Sequence, residues 1–199
     1  MKSPKILRHQ SDHGTIRLRY RSRSRSNSLI YEQKGGNQSA IDEGGVSLDS
    51  YIHALYGLVL QRVAQKILMI GCGGGTLGTM LARTGRKISI VDIDKESFVL
   101  AKRHFGLPRT VECIVEDGFD FIRGTRRRFD VLNVDVFVGE KIPPQFTCAD
   151  FFQAALKCLR GGGFVLMNVC LHKKSDRTAD RLAAGFAACG VSTRVLDSS

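Results

Sequence analysis

The sequence predicts an α/β fold in which a mainly parallel, Rossmann-like sheet follows a small N-terminal β-structure. Three observations predict it. From residue 66 onward short apolar runs alternate with helical patterns, a glycine-rich turn follows the first run, and a carboxylate closes the second. Strands separated by helices imply parallel neighbours joined by right-handed crossovers, with a ligand lying over the carboxyl ends of the strands. A chain of 199 residues is long enough for one such domain and a small appendage.

Residues 1–14 read as a flexible basic tail, with no apolar stretch after it of the kind a secretory signal needs. From Thr15 the apolar Ile16, Leu18 and Tyr20 alternate with Arg17, Arg19 and Arg21, the period of a strand. The Arg-Ser run through Ser26 continues that alternation without an apolar face. It reads as a solvated hairpin end in preference to a nucleic-acid contact through Arg17–Arg25. A second strand follows near 28–33, a turn at Gly35-Gly36-Asn37, and a third short strand near 37–41. Residues 15–45 thus form a small β-domain, and 46–199 the main one.

In the main domain, residues 49–64 place Ile52, Leu55, Tyr56, Val59, Leu60 and Val63 at helical spacing. Strands are predicted at 66–70, 87–91, 110–115, 129–134, 163–169 and 191–196, with helices near 77–84, 95–105, 118–123, 148–159 and 176–189. Asp94 can cap the helix from Lys95, and Gly106 can end it. Thr147–Asp150 resembles a capping box, and Gly161 would close the helix it opens.

Charge and cysteines bound the function. Residues 1–36 hold nine Lys/Arg against two Asp/Glu, a net of +7 out of +11 for the chain. Such a surface attracts phosphates and repels polycations. The six cysteines are scattered without a C-x-x-C pair, so neither a metal site nor a disulfide framework is expected. No apolar run is long enough to span a bilayer, so a membrane is not among the expected partners and a cytoplasmic location is expected.

The chemistry lies at the strand ends. Ile70-Gly71-Cys72-Gly73-Gly74-Gly75-Thr76 follows the first strand and opens a helix, where glycine allows a sharp turn and close backbone approach to a ligand. Asp92 ends the next strand, 21 positions after Gly71, where a carboxylate can accept hydrogen bonds from ribose hydroxyls. Together these point to an adenosine-containing cofactor. Asp117-Gly118 ends the third strand; Asp117 either bonds an adenine amino group or caps the next helix. Asp135 stands in the apolar stretch Val131–Val138 at the end of the fourth strand. A carboxylate there is either a general base with a raised pKa or a tether for loop backbone.

These motifs, ILMIGCGGGTLG, ISIVDID, VECIVEDGFDFIR, FDVLNVDVFVGEKIPPQFTCADFF and LRGGGFVLMNV, resemble in order and spacing the spermidine synthase (polyamine aminopropyltransferase) family. The closest likeness is to its divergent spermidine synthase-like branch, over residues 15–197. The resemblance implies a core of the S-adenosylmethionine-dependent methyltransferase type behind a small β-domain, a homodimer, and a small-molecule amine acceptor. It implies that Asp92 binds ribose, Asp117 binds adenine and Asp135 is catalytic. It also implies that Gln38 and Tyr51 line the donor and acceptor pocket, Gln38 on the donor side and Tyr51 on the substrate side, with Gly71, Gly73, Gly75 and Gly118 close to the cofactor. The donor would be decarboxylated S-adenosylmethionine or S-adenosylmethionine, with no metal.

Three positions depart from the family pattern: Gly74 replaces the Asp that holds the donor's propylamine, Val138 replaces a second Asp after the catalytic one, and Ile52 replaces a Gln. Two carboxylates that would offset the desolvation of ammonium groups are therefore missing. Members also continue into a further antiparallel strand after the point where this sequence stops, at Ser199. Three alternatives to aminopropyl transfer stay open. They are methyl transfer from S-adenosylmethionine, cofactor binding without polyamine chemistry beside a nucleic-acid-contacting N-terminus, and an NAD enzyme reading Gly73–Gly78 as G-x-G-x-x-G.

Overall fold

A computed structural model describes residues 5–23, 26–139, 141–171, 173 and 175–197. Four strands, β1 (Lys5–Ser11), β2 (Gly14–Arg23), β3 (Ser26–Gln33) and β4 (Gly36–Asp42), form an antiparallel meander in chain order. Helix α1 (Ser50–Leu60) leads into the alternating part: β5 (Lys66–Ile70), α2 (Thr76–Ala82), β6 (Lys87–Asp92), α3 (Lys95–His104), β7 (Glu112–Val115), α4 (Gly118–Gly124) and β8 (Phe129–Val134). A 3-10 turn (Pro144–Thr147), α5 (Ala149–Lys157), β9 (Leu159–Met167) and α6 (Thr178–Ala188) complete it. The second sheet runs β7-β6-β5-β8-β9 with every pair parallel. Among the described residues no helix is long and apolar enough to cross a membrane.

The parallel sheet is covered on both faces, as its continuous apolar strands require. Ile67, Met69, Ile88, Ile90 and Val131 pack with α1, α2 and α3 on one face, and Leu68, Ile70, Val91, Leu132 and Val134 pack with α4, α5 and α6 on the other. The meander docks on α3 through Ile16, Leu18, Leu29 and Tyr31 against Leu100 and Phe105. Asp94 adds a polar clamp to that contact. Its side chain caps α3 by accepting from the Glu96 amide (3.0 Å), and its other oxygen accepts from Ser11 (2.6 Å) on β1 and Gln33 (2.9 Å) on β3.

The fold corrects the sequence reading in four places. Residues 5–11 are not a flexible tail but a strand paired with β2 from Lys5↔Tyr20 to Ser11↔Gly14; residues 1–4 lie outside the described residues. The half-buried positions of β1 are Leu7, His9 and Ser11, so its inner face is mostly polar and the hydrophobic period is hidden. The Arg-Ser run, by contrast, forms the hairpin end expected of it, with β2 and β3 paired as far as Arg23↔Ser26 and Arg25 outside the described residues. The predicted strand at 191–196 does not form, and Val195 is 70% exposed. After Gly190 turns with φ +78°, the amide of Val191 bonds back to the Phe186 carbonyl, closing α6 instead of joining β9.

The last two corrections concern α5. No side chain caps it at Cys148, because the Thr147 hydroxyl donates instead to Pro144 O (2.8 Å) within the 3-10 turn. Nor does Gly161 close it. The helix ends at Lys157, and Gly161 already belongs to β9.

Candidate active site

Every strand of the parallel sheet delivers a chemically useful residue at its carboxyl end. In sheet order these are Asp117 after β7, Asp92 on β6, Gly71 after β5, Asp135 after β8 and Asn168 after β9. Backbone bonds carry the ladder one step past the strands and hold these ends in register: Glu116 N to Asp92 O (3.2 Å), Gly71 N to Val91 O (2.9 Å), Asp135 N to Ile70 O (2.9 Å) and Asn168 N to Val134 O (3.0 Å). The carboxylates therefore share one edge of the domain.

Asp135 is the most constrained of them. Its Oδ2 accepts from the Tyr51 hydroxyl (3.2 Å), and its Oδ1 accepts from the Asn168 amide (3.0 Å). Burial raises its carboxyl above the usual range, and the hydrogen bonds from Asn168 and Tyr51 pull the other way without cancelling that effect. Burial first, then the negative charge of Asp135, raises the Tyr51 phenol, so the phenol keeps its proton and acts as donor. A carboxylate with two fixed donors and a raised proton affinity has the properties of a general base.

The glycine loop is as much a packing device as a ligand cradle. Gly71 has φ +94°, and a Cβ there would collide with the carbonyl oxygen of Asp135, so only glycine lets β5 and β8 end side by side. Gly73 lies against β4, where a Cβ would come 3.5 Å from the Gln38 carbonyl oxygen and 3.6 Å from its Cβ. Gly75, with φ +67°, is the N-cap of α2. Gly118 fits only because a side chain there would strike Ile70.

Asp92 organises this loop. One carboxylate oxygen accepts from the Cys72 amide (2.7 Å) and the other from the Asp94 amide (2.8 Å). Burial raises its pKa, and these two backbone donors only partly offset that. Each oxygen still has a lone pair for a further donor. Asp117 takes up its capping role: Oδ1 accepts from the Phe119 (2.8 Å) and Asp120 (3.1 Å) amides, which leaves Oδ2 for another donor.

The departures from the family pattern have structural counterparts. A Cβ on Gly74 would sit 2.7 Å from Phe105 Cδ1 and 2.9 Å from Ser39 Cβ, so any side chain at that position would have to displace Phe105 and Ser39. Ile52 is buried in the core beside α2, and Val138 is 56% exposed, its backbone paired with Lys141.

Sequence reasoning missed three polar residues. Asn168 was hidden because the predicted strand ran to 169, although a polar residue ending an apolar run was the same signal that singled out Asp135. Ser39 on β4 accepts from the Gly74 amide (3.0 Å), a contact with no local signature. Asn133 is 1% exposed on β8, and neither its amide nitrogen nor its oxygen has a partner among the described residues.

Comparison with known proteins identifies the family and the fold. A family model described as the spermine/spermidine synthase domain matches residues 49–192. A polyamine aminopropyltransferase of Neisseria meningitidis serogroup A is 31% identical over 147 residues, covering 69% of this chain and 55% of that protein. The chain therefore spans about half the length of that curated relative. A probable spermidine synthase from Corynebacterium glutamicum superposes with a TM-score of 0.80 at 22% identity, covering 94% of this chain and 71% of the other. Human methyltransferase-like protein 13, solved in complex with SAH, superposes with a TM-score of 0.61 at 24% identity, covering 70% and 72%. Both likenesses establish the Rossmann-like methyltransferase fold.

Proposed function

The chain belongs to the spermine/spermidine synthase domain family, and from that premise we propose that it transfers an aminopropyl group from decarboxylated S-adenosylmethionine to a small amine. The observation that carries the proposal is the half-buried Asp135 carboxylate, oriented by Tyr51 and Asn168 at the carboxyl edge of the sheet. In this reading the domain assigned to residues 46–199 holds most of the donor. Asp92 accepts from the ribose hydroxyls, the free oxygen of Asp117 accepts from the adenine amino group, Gly71, Gly73, Gly75 and Gly118 give the ligand room, and Gln38 closes the donor side. The neutral amine attacks the carbon attached to the sulfonium sulfur. A C–N bond forms, the C–S bond breaks with its electrons passing to sulfur, a neutral thioether leaves, and Asp135 takes the proton from nitrogen. The enzyme's contribution is positioning together with that proton transfer.

One observation favours a second reading, methyl transfer from S-adenosylmethionine: the space where a carboxylate would hold the propylamine is filled by Phe105 and Ser39. Calorimetric titration with both donors separates the two. Binding of decarboxylated S-adenosylmethionine supports aminopropyl transfer; binding of intact S-adenosylmethionine with none of the decarboxylated form rejects it.

A further inference from the structure

The edge of the parallel sheet opposite the carboxylates carries an independent feature. A cavity of about 710 Å³ opens across the amino-terminal ends of the strands. Six cations line it: Lys66 at the start of β5, Lys87 at the start of β6 with Arg86 before it, Arg127 and Arg128 before β8, and Arg160 in β9. That volume is within the roughly 300–1,000 Å³ usual for small-molecule sites, but the charged lining is unlike the apolar walls such sites normally have.

The carboxylates at this edge are already taken. Glu112 receives both Arg127 guanidinium nitrogens (3.1 and 2.7 Å) and the Ser89 hydroxyl (2.6 Å). Asp130, just beside the cavity, pairs with Arg160 (3.2 Å) and accepts the Gln65 and Lys66 amides (2.8 Å each). Lys66, Arg86, Lys87 and Arg128 are left with no carboxylate partner among the described residues. The Nε of Arg86 is buried and has no acceptor there either. Lys66, Lys87, Arg127, Arg128 and Arg160 are exposed and hydrated, but an anion in the concavity would relieve their mutual repulsion and supply the acceptor that the buried Arg86 Nε lacks.

The spread of the cations indicates what kind of anion. Lys66 and Lys87 are register partners on adjacent strands, and Arg128 precedes β8 on the far side of β5. Three neighbouring strands span about 10 Å at ~4.8 Å per step, more than one phosphate can bridge. A chain of phosphates can, and the guanidinium forks of Arg86 and Arg128 suit phosphate oxygens. Phe129 is 2% exposed, with the Arg127 guanidinium over its ring, so it presents no aromatic face for stacking a base.

We propose that this basin is a binding site for an oligophosphate, recognised through its phosphate chain. β5 has five residues, so the basin is about 17 Å along the sheet from the Asp135 edge. It does not depend on the transfer chemistry.

The test is calorimetric titration with inorganic tripolyphosphate and with ATP at fixed ionic strength. One saturable site is expected, and the Arg86→Gln, Lys87→Gln, Arg128→Gln triple variant should weaken it by about tenfold or more. An Arg8→Gln, Arg17→Gln variant on the other sheet should stay within about twofold of wild type. Equal affinity for the two ligands assigns recognition to the phosphates alone, and tighter ATP adds a nucleoside contact. Tripolyphosphate should also raise the unfolding temperature of the wild-type protein, a readout that needs no variant. No saturable binding, an unchanged unfolding temperature, equal loss in both variants, or tighter binding of a short DNA duplex than of either oligophosphate overturns the proposal.

Discussion

The hydroxyl of Tyr51 donates a 3.2 Å hydrogen bond to Oδ2 of Asp135, tying the first turn of α1 to the carboxyl end of β8. The bond joins residues 84 positions apart, and with the Asn168 amide it fixes a half-buried carboxylate in one orientation.

Asp135→Asn keeps the shape and removes the base. Transfer should fall by about 10²–10⁴-fold, with donor affinity close to wild type by calorimetry. Stability should change in the opposite direction. Burial raises the native carboxyl above its unfolded value, so the native state holds its proton longer, and wild-type stability declines as pH rises from about 4 through the raised value. The variant should therefore unfold at higher urea than wild type at pH 7, with the gap closing towards pH 4. A variant less stable than wild type at pH 7 contradicts the assignment.

Tyr51→Phe removes a donor that favours the charged carboxylate. The acidic limb of the rate profile should move to higher pH, and kcat/KM at neutral pH should drop by about ten- to a hundredfold. A profile that does not move would show that the hydroxyl has no influence on the base.

Gly74→Asp tests whether the missing family carboxylate can be restored. Its Cβ would press on Phe105 and Ser39, so the substitution should cost about 2–4 kcal/mol in denaturant unfolding and yield no tighter binding of decarboxylated S-adenosylmethionine. A gain in affinity for that donor would show that the loop yields where the packing says it cannot.

Asn133→Leu replaces a buried amide that lacks partners on a strand face whose neighbours are Met69 and Leu166. Removing an unpaired polar group should stabilise the fold by about 1–3 kcal/mol, read from the urea midpoint. A loss of stability would mean the amide has a partner in solution, such as a bound water.

Asp94→Ala removes a helix cap and the two hydrogen bonds that tie the meander to α3. Its cost should exceed the ~1 kcal/mol of a lost cap alone, and amide exchange should speed up in β1 and β3 as the meander loosens from α3. Faster exchange confined to α3 would reduce Asp94 to a simple cap.

Much of this protein was legible in its residues because the relevant signals are local. The period of apolar residues, glycine at Gly71–Gly75, and acids at the ends of apolar runs each depend on neighbours a few positions away. That is why β5, β6 and β8, and the candidate roles of Asp92 and Asp135, are legible in the residues themselves. Where the local signal was weak or ambiguous, the reading failed: β1 has a polar inner face, and residues 191–196 alternate like a strand but spend the Val191 amide on closing α6.

Alone, then, the sequence determined the alternation of strands and helices from β5 to β9, the glycine turn, and which carboxylates stand at strand ends, since short-range backbone preference and burial period suffice for these. Only the tertiary structure decided the partners: Tyr51 and Asn168 on Asp135, Asp94 clamping the meander to α3, Phe105 and Ser39 filling the space beside Gly74, and cations at the starts of neighbouring strands gathered around one basin. Those contacts join residues far apart in the chain, and packing brings them together only once the sheet order β7-β6-β5-β8-β9 is set.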